Sequence, residues 1–582
     1  MGCTPARSIR RTTPPGPRVK ALQGRVGPRV PAGWRICGEN VFARHSIPYD
    51  DLAGHFYGFS VWDGDTCLGW DRTVAFLHGL GIPTPPVLWR GVFDARAERT
   101  LRALRLDTGR QEGYVVRPAA SFGAAEFGRR VAKWVRPGHV VTDTHWMHAA
   151  VVENALGPSA ALWDVRSGAP VDPVALTAAA SAGAGAGVGA ASAGAGAGAT
   201  GAGVGVGACA TGAGAGAASA GAGACATGAG AGAGGTPDGL TAADAPACLT
   251  AADAPACLAA ADAPAALAAA DALDALSLTG DDRLSGVLAA LLHRTRRAAL
   301  APALAGPLGM PLARRVADLV GLSPSLHRPY PDEERHGGLA RMSLAARLPV
   351  LHAVAGALAV SPEAREQVEW SRLHAEEIRE PDGLREAFAG LEPDAADRCL
   401  AQARQAYALG RISTAEEATA ATWRWRDGDF PRLVHLVGPS GSGKSTFGRA
   451  LPGTDSYISL DDLRLTRGSR ADQSANADVL REGLRRLDAA LVPGATVVWD
   501  ATSLNPHQRS LVHAAARRRD ALLTHAVAWT GEAELTARNA RRAHPVPPEV
   551  LASQLRRFVP PYPGQAHRTW YIGSSTTVED RA

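Results

Sequence analysis

Gly438-Pro439-Ser440-Gly441-Ser442-Gly443-Lys444-Ser445 lies between an apolar run, Leu433-Val434-His435-Leu436-Val437, and a helix-like segment, Thr446-Phe447-Gly448-Arg449-Ala450-Leu451. Strand, glycine-rich turn and helix form the context in which a G-x-x-x-x-G-K-[ST] spacing reads as a phosphate cradle. Glycines let backbone N–H groups wrap an anion without Cβ clashes, and the helix start adds the positive end of its dipole. Lys444 can then reach the outer phosphates and Ser445 can hold Mg²⁺. Gly438, Ser440, Gly441, Gly443, Lys444, Ser445 and Thr446 are thus the expected nucleotide contacts.

Downstream, Tyr457-Ile458-Ser459-Leu460-Asp461-Asp462-Leu463-Arg464 reads as a strand leading into an acidic turn. A second apolar strand runs from Ala495 to Asp500 and continues as Ala501-Thr502-Ser503-Leu504-Asn505-Pro506. An arginine-rich helix follows over Glu534 to Arg542, and Val546-Pro547 opens another. Strands alternating with helices predict a parallel sheet with ligands at the carboxyl ends of its strands.

This segment resembles the phage-type 5′-hydroxyl polynucleotide kinases in its D-D-x-R, D-x-[ST]-x-L-N-P and R-N-x-x-R elements. The resemblance implies ATP and Mg²⁺, with Asp461 as general base on the acceptor hydroxyl and Arg464 on the acceptor's 3′-phosphate. It also implies Asp500 on the acceptor side, and Arg538 and Arg542 in a lid over the donor phosphates. Phosphoryl transfer is mostly positioning and charge neutralisation, which such groups supply.

Upstream, Leu284–Leu308, Leu312–Leu322, Leu339–Val360 and Glu363–Ile378 carry leucines at helical spacings, and Pro393–Thr422 reads as helices with charged faces. Arg294, Arg296, Arg297, Arg314 and Arg315 could form an RNA-facing patch, although a solvated helix face is the commoner arrangement. His-x-Thr triplets at His293 and His567 fall in a leucine-rich helix and a C-terminal tail, which argues against paired-histidine phosphoesterase chemistry. From about Thr177 to Gly235 the chain is nearly pure Ala, Gly, Ser and Val, followed by a nine-residue repeat, Leu240–Cys248, Leu249–Cys257, Leu258–Ala266, and a partial copy from Leu267. Each copy has one leucine and a proline, too little to bury, which predicts a flexible linker.

In the first 160 residues, four strand-like pieces recur in order: Trp34–Ala43, His55–Asp63, Glu112–Arg117 and Val131–Arg136. The G-E element, the F-Y-x-F strand, the E-G-Y-V-V-R strand and the final lysine strand resemble the RNA-ligase branch of the covalent nucleotidyltransferases. By that resemblance Glu39 contacts ribose or metal, Phe59 stacks on adenine, Glu112 binds the catalytic metal and Lys133 contacts the α-phosphate. The K-x-D-G nucleophile of that family is absent from the chain, so self-adenylation is not expected. A start inside the ligase domain would account for the missing lysine.

The 582 residues carry a formal charge of +5, which permits a polyanionic partner, and only 5% are aromatic. The eight cysteines show no C-x-x-C pairing, and no apolar h-region or spanning segment is present, which predicts reduced thiols in a soluble cytoplasmic protein with no membrane partner. The expected architecture is multidomain. It comprises a disordered tail (1–18), an incomplete α+β nucleotidyltransferase-like domain (19–160), a disordered Ala/Gly linker (161–279), an α-helical domain (280–428) and an α/β P-loop kinase domain with a parallel sheet (429–575). The expected function is a 5′-hydroxyl kinase acting on RNA or DNA 5′ ends, joined to a ligase-like domain. A small-molecule P-loop kinase and an RNA-binding regulatory ATPase are the competing readings.

Overall fold

The computed structural model describes residues 17–44, 47–137, 151–182, 204–207, 261–466, 476–542, 544–573 and 577–581. The expected disordered tail and most of the expected linker lie outside the described residues. The chain divides into two units, one of Met1–Trp163 with Ala184–Ala256, the other of Asp164–Gly183 with Cys257–Ala582. No helix among the described residues is long and apolar enough to cross a membrane.

The first unit holds two antiparallel sheets. One orders β1 (Trp34–Asn40), β2 (Phe56–Asp63), β3 (Thr66–Cys67) and β6 (Phe122–Gly123) as β1-β2-β3-β6. The other places β4 (Val87–Gly91), β5 (Gly113–Pro118), β7 (Ala132–Val135) and β8 (Val204–Gly207) in the order β4-β8-β5-β7. Behind the first sheet, Val26, Val61, Leu68, Leu77, Leu80 and Ile82 form a core. Arg117, buried on β5, donates to the Phe59 carbonyl (3.1 Å) and the Leu68 carbonyl (2.8 Å), tying β5 to the first sheet.

Three helices, Ala160–Arg166 across the boundary between the units, and Pro173–Ser181 and Ala263–Ala275 in the second unit, occupy parts of the segment 161–279 expected as linker. The reason is local chemistry. Alanine is the best helix former, and behind the caps Asp172 and Asp262 the first turns place Pro173 and Pro264 where the missing N–H costs nothing. Asp262 caps Ala263–Ala275 through the Ala265 N–H. The partial repeat has Leu273 where earlier copies have proline, so that helix continues and buries Leu273 against Gly286, where a Cβ would lie 2.7 Å from a Leu273 methyl.

Gly280–Leu291, Arg297–Leu308, Met310–Leu322, Asp332–Met342, Leu348–Leu358, Pro362–Ala375 and Pro393–Ala408 make the helical part. Two stretches with leucines at helical spacings, Leu284–Leu308 and Leu339–Val360, each hold parts of two helices, the second with Pro349 in the first turn of Leu348–Leu358. The arginine patch is also corrected in part. Arg297 and Arg314 are buried and share Asp318, itself fully buried, while Arg315 pairs with Asp281 and Arg294 with Asp262.

The remainder of the chain builds a six-stranded sheet from β9 (Arg432–Val437), β10 (Ser456–Ser459), β11 (Thr496–Asp500), β12 (Leu522–Ala528), β13 (Arg568–Ile572) and β14 (Val578–Arg581). Its order is β10-β11-β9-β12-β13-β14, and all but β14 run parallel. Every residue of β12 is buried, the pattern expected of a strand covered on both faces. Leu433, Trp499 and Leu523 face one core; Val434, Leu436, Val498 and Ala526 face the other. His567 belongs to no tail: it immediately precedes β13, and its Nδ1 accepts from the Leu523 N–H (2.8 Å).

Burial lowers the pKa of His567 to about 3 and that of His352 below its ordinary value. In the unfolded chain both titrate near 6.5. The unfolded state therefore binds more protons below pH 6.5, so their contribution to stability is complete above that pH and is lost as pH falls toward 3. The expected slope approaches about 1.4 kcal/mol per pH unit for each histidine that protonates only on unfolding. Urea unfolding at pH 7.5 and pH 5 checks this, with His567→Gln expected to flatten the decline.

Candidate active site

The phosphate loop follows β9, the strand between β11 and β12, and so emerges at the middle of the sheet. Gly438, Gly441 and Gly443 have φ of 152°, 84° and 89°, backbone that side chains rarely adopt. A Cβ on Gly438 would lie 2.7 Å from the Ala528 carbonyl oxygen on β12. Gly438→Ala is expected to strain the loop by about 1–3 kcal/mol, a roughly 5- to 150-fold loss of nucleotide affinity, read by titration with a fluorescent ATP analogue.

Lys444 opens the helix Lys444–Arg449 and is buried. Burial lowers its pKa, while the charges of Asp500 and Asp461 oppose that and Arg542 adds to it. The charges of both carboxylates act on Lys444 because β10 and β11 are adjacent and in register, Ser459 opposite Asp500. Asp461 follows β10 in the first turn of Leu460–Leu465, a helix capped by the Ser459 hydroxyl accepting from the Asp462 N–H. Asp461 is therefore not the N-cap, and its side chain is 67% exposed.

Their surroundings separate the two acids. Asp500 is buried and accepts from the Tyr457 hydroxyl (2.8 Å). Burial, then the Asp500 charge, pushes the Tyr457 phenol well above its ordinary value, so it stays protonated and donating. Asp461 accepts from Arg464 (2.5 Å), and Asp462 from Arg449 (2.8 Å). A carboxylate meant to take a proton from an incoming hydroxyl must be reachable, and of the pair only Asp461 is.

On the loop's other side, the helix Glu532–Ala540 carries Arg538, paired with Glu534 at 2.6 Å, while Arg542 lies just past the helix end rather than within it. Asn539 bonds both the N–H and the carbonyl of Val546, pinning the turn before Pro548–Arg557. From that last helix Gln554 accepts from the Ser440 N–H (2.8 Å), a contact for which the sequence offered no signal. Ser445 and Thr446 follow Lys444 in its helix. Ser445 and the strand-end carboxylates are hard oxygen donors that suit Mg²⁺.

The ligase-like residues divide between two sheets. Glu39 on β1 stands opposite Tyr57, and Phe59 sits at the β2 bulge, where the register skips between Cys37 and Gly38. Glu112 immediately precedes β5, half-buried, and Lys133 on β7 faces Val115 and is exposed.

Residues 433–561 match the family model described as an AAA domain, and residues 10–135 match the RNA ligase model. No curated protein matches the chain. Among solved structures, Kti12 from Chaetomium thermophilum in complex with ADP-AlF3 is 19% identical, covering 24% of this chain and 88% of its own, with a TM-score of 0.21. A gluconokinase from Sinorhizobium meliloti 1021 is 22% identical, covering 26% of this chain and 86% of its own, with a TM-score of 0.20. The chain thus joins an N-terminal segment similar to RNA ligases to a C-terminal P-loop segment similar to AAA domains.

Proposed function

We propose that the C-terminal domain is an ATP-dependent 5′-hydroxyl polynucleotide kinase working in RNA end repair. The observation that carries this reading is the buried Lys444 beside two unlike carboxylates, Asp461 exposed and held by Arg464, Asp500 buried and held by Tyr457. In this reading Asp461 takes the proton of the acceptor hydroxyl as its oxygen bonds the γ-phosphorus and the bond to ADP breaks. Asp500, held by the Tyr457 hydroxyl, is the fixed carboxylate of the pair. Mg²⁺, held through Ser445, would offset charge on the β- and γ-phosphate oxygens.

Arg464 favours a nucleic-acid acceptor. A guanidinium beside the base offers a fork of donors that suits a phosphate, and an acceptor nucleotide carries one on its 3′ side. Arg538 and Arg542 would close over the donor phosphates. The ligase-like segment, with Glu39, Phe59, Glu112 and Lys133, supplies contacts to a nucleotide or an RNA end, with Glu112 as its metal carboxylate. Sealing is not expected of this chain without the K-x-D-G lysine.

Transfer of label from γ-labelled ATP decides between the acceptors. Purified protein with Mg²⁺ is expected to label 5′-hydroxyl oligonucleotides and leave 5′-phosphorylated ones and sugar acids unlabelled. Labelling of a metabolite with every oligonucleotide untouched would overturn the reading in favour of a small-molecule kinase, and ATP hydrolysis without transfer would favour a regulatory ATPase.

A further inference from the structure

His435 on β9 and His525 on β12 are register partners on neighbouring parallel strands, so both rings project from the same face of the sheet. The helix Pro506–Arg518 covers that face and brings in His513. Ring centroids lie 5.6 Å (His435–His525), 5.9 Å (His435–His513) and 4.9 Å (His513–His525) apart. One nitrogen from each ring falls within 4.8 Å of the other two.

The hydrogen bonding leaves this cluster unsatisfied. His435 and His525 are fully buried, and Nδ1 of each lacks a partner among the described residues. The other nitrogens are engaged: His435 Nε2 with the Ser503 hydroxyl (2.8 Å), and His525 Nε2 with His513 Nε2 (2.8 Å). A buried polar atom left unpaired costs about 1–3 kcal/mol. Neutral imidazole offers one N–H and one lone pair, yet in this cluster the Nδ1 atoms of His435 and His525 pair with nothing among the described residues.

We propose that His435, His513 and His525 bind a first-row transition-metal ion of the zinc class. His435 ligates through Nδ1, because the Ser503 hydroxyl takes its Nε2–H and fixes the ring, the way an outer partner orients a metal-bound histidine. Imidazole nitrogens suit Zn²⁺ and its neighbours, whereas Mg²⁺ and Ca²⁺ prefer oxygen. The buried Arg509 guanidinium, donating to the Ser503 and Val559 carbonyls, disfavours any cation here, so the nitrogen bonds to the ion must outweigh that repulsion. Such an ion would clamp β9 to β12 and to the covering helix, three residues before the phosphate loop begins. It is a site apart from the proposed Mg²⁺ donors.

The test uses the full chain stripped with EDTA and then exposed to Zn²⁺. One zinc per chain is expected to survive gel filtration, with a Tm several degrees above the stripped protein and an X-ray absorption edge spectrum showing nitrogen ligands. His513→Ala, half-buried on a helix, is expected to lose both the retained zinc and the Tm increase while keeping its far-UV circular dichroism. His513→Gln repeats the comparison with a bulkier side chain, and the wild-type spectrum stands without either variant. No retained zinc with an unchanged Tm, sulfur ligation, or equal zinc retention in folded His513→Ala would each overturn the site.

Discussion

Asp461→Asn is expected to lower the rate of phosphoryl transfer to a 5′-hydroxyl oligonucleotide by roughly 10²–10⁴-fold, the range for loss of a positioned general base. Nucleotide affinity should change little, because Asp461 is exposed, bonds Arg464, and acts on Lys444 through its charge without a bond to it. The amide keeps the shape and an acceptor oxygen for Arg464 but can no longer take the hydroxyl proton. Single-turnover label transfer alongside fluorescent-nucleotide titration separates the two effects. Unchanged transfer in this variant removes Asp461 from the base role. Loss of nucleotide affinity in parallel would instead make it part of the donor site.

Asp318→Ala is expected to destabilise the second unit by about 3–5 kcal/mol, the cost of leaving buried charge without its partner. Asp318 is fully buried and accepts from Arg297 at 2.8 and 2.5 Å and from Arg314 at 2.8 Å. Arg297 also donates to the carbonyls of Pro560 and Pro561 and lies 3.6 Å from the Tyr562 ring centroid. The substitution thus disturbs a joint between the helical part and the segment that follows the helix Pro548–Arg557. Urea unfolding should show the full loss, and a change under about 1 kcal/mol would mean that the arginines find other acceptors or water.

That joint shows where the sequence runs out. Arg297 and Pro560 are 263 residues apart, so no local pattern distinguishes a buried Arg297 from a solvated one on an arginine-rich helix. His435, His513 and His525 were hidden for the same reason, although a histidine in the middle of the apolar run Leu433–Val437 was a faint signal. Gln554 gave none, being one polar residue on an amphipathic helix.

What could be read was chemistry fixed by short spacing. The glycines of the phosphate loop need positive φ at defined positions, and Asp461 and Asp500 follow apolar runs that end as parallel strands end. Helix boundaries were legible only where proline or a capping side chain set them. The nine-residue repeat was read from its single leucine and its proline per copy, which missed that an Asp cap and a last copy without proline are enough to start and sustain a helix at Ala263.

The capped start at Asp262 has an evolutionary corollary. Tandem repeats of nine codons gain and lose copies by replication slippage, and any whole-unit change upstream of Leu258 leaves Asp262, Pro264 and Leu273 in their places. Spacer length can thus drift between lineages at no energetic penalty to the helical part. Slippage that swapped the terminal copy for a proline-bearing one would put a helix breaker where Leu273 is buried, so natural variants should differ in copy number yet keep the final unit intact.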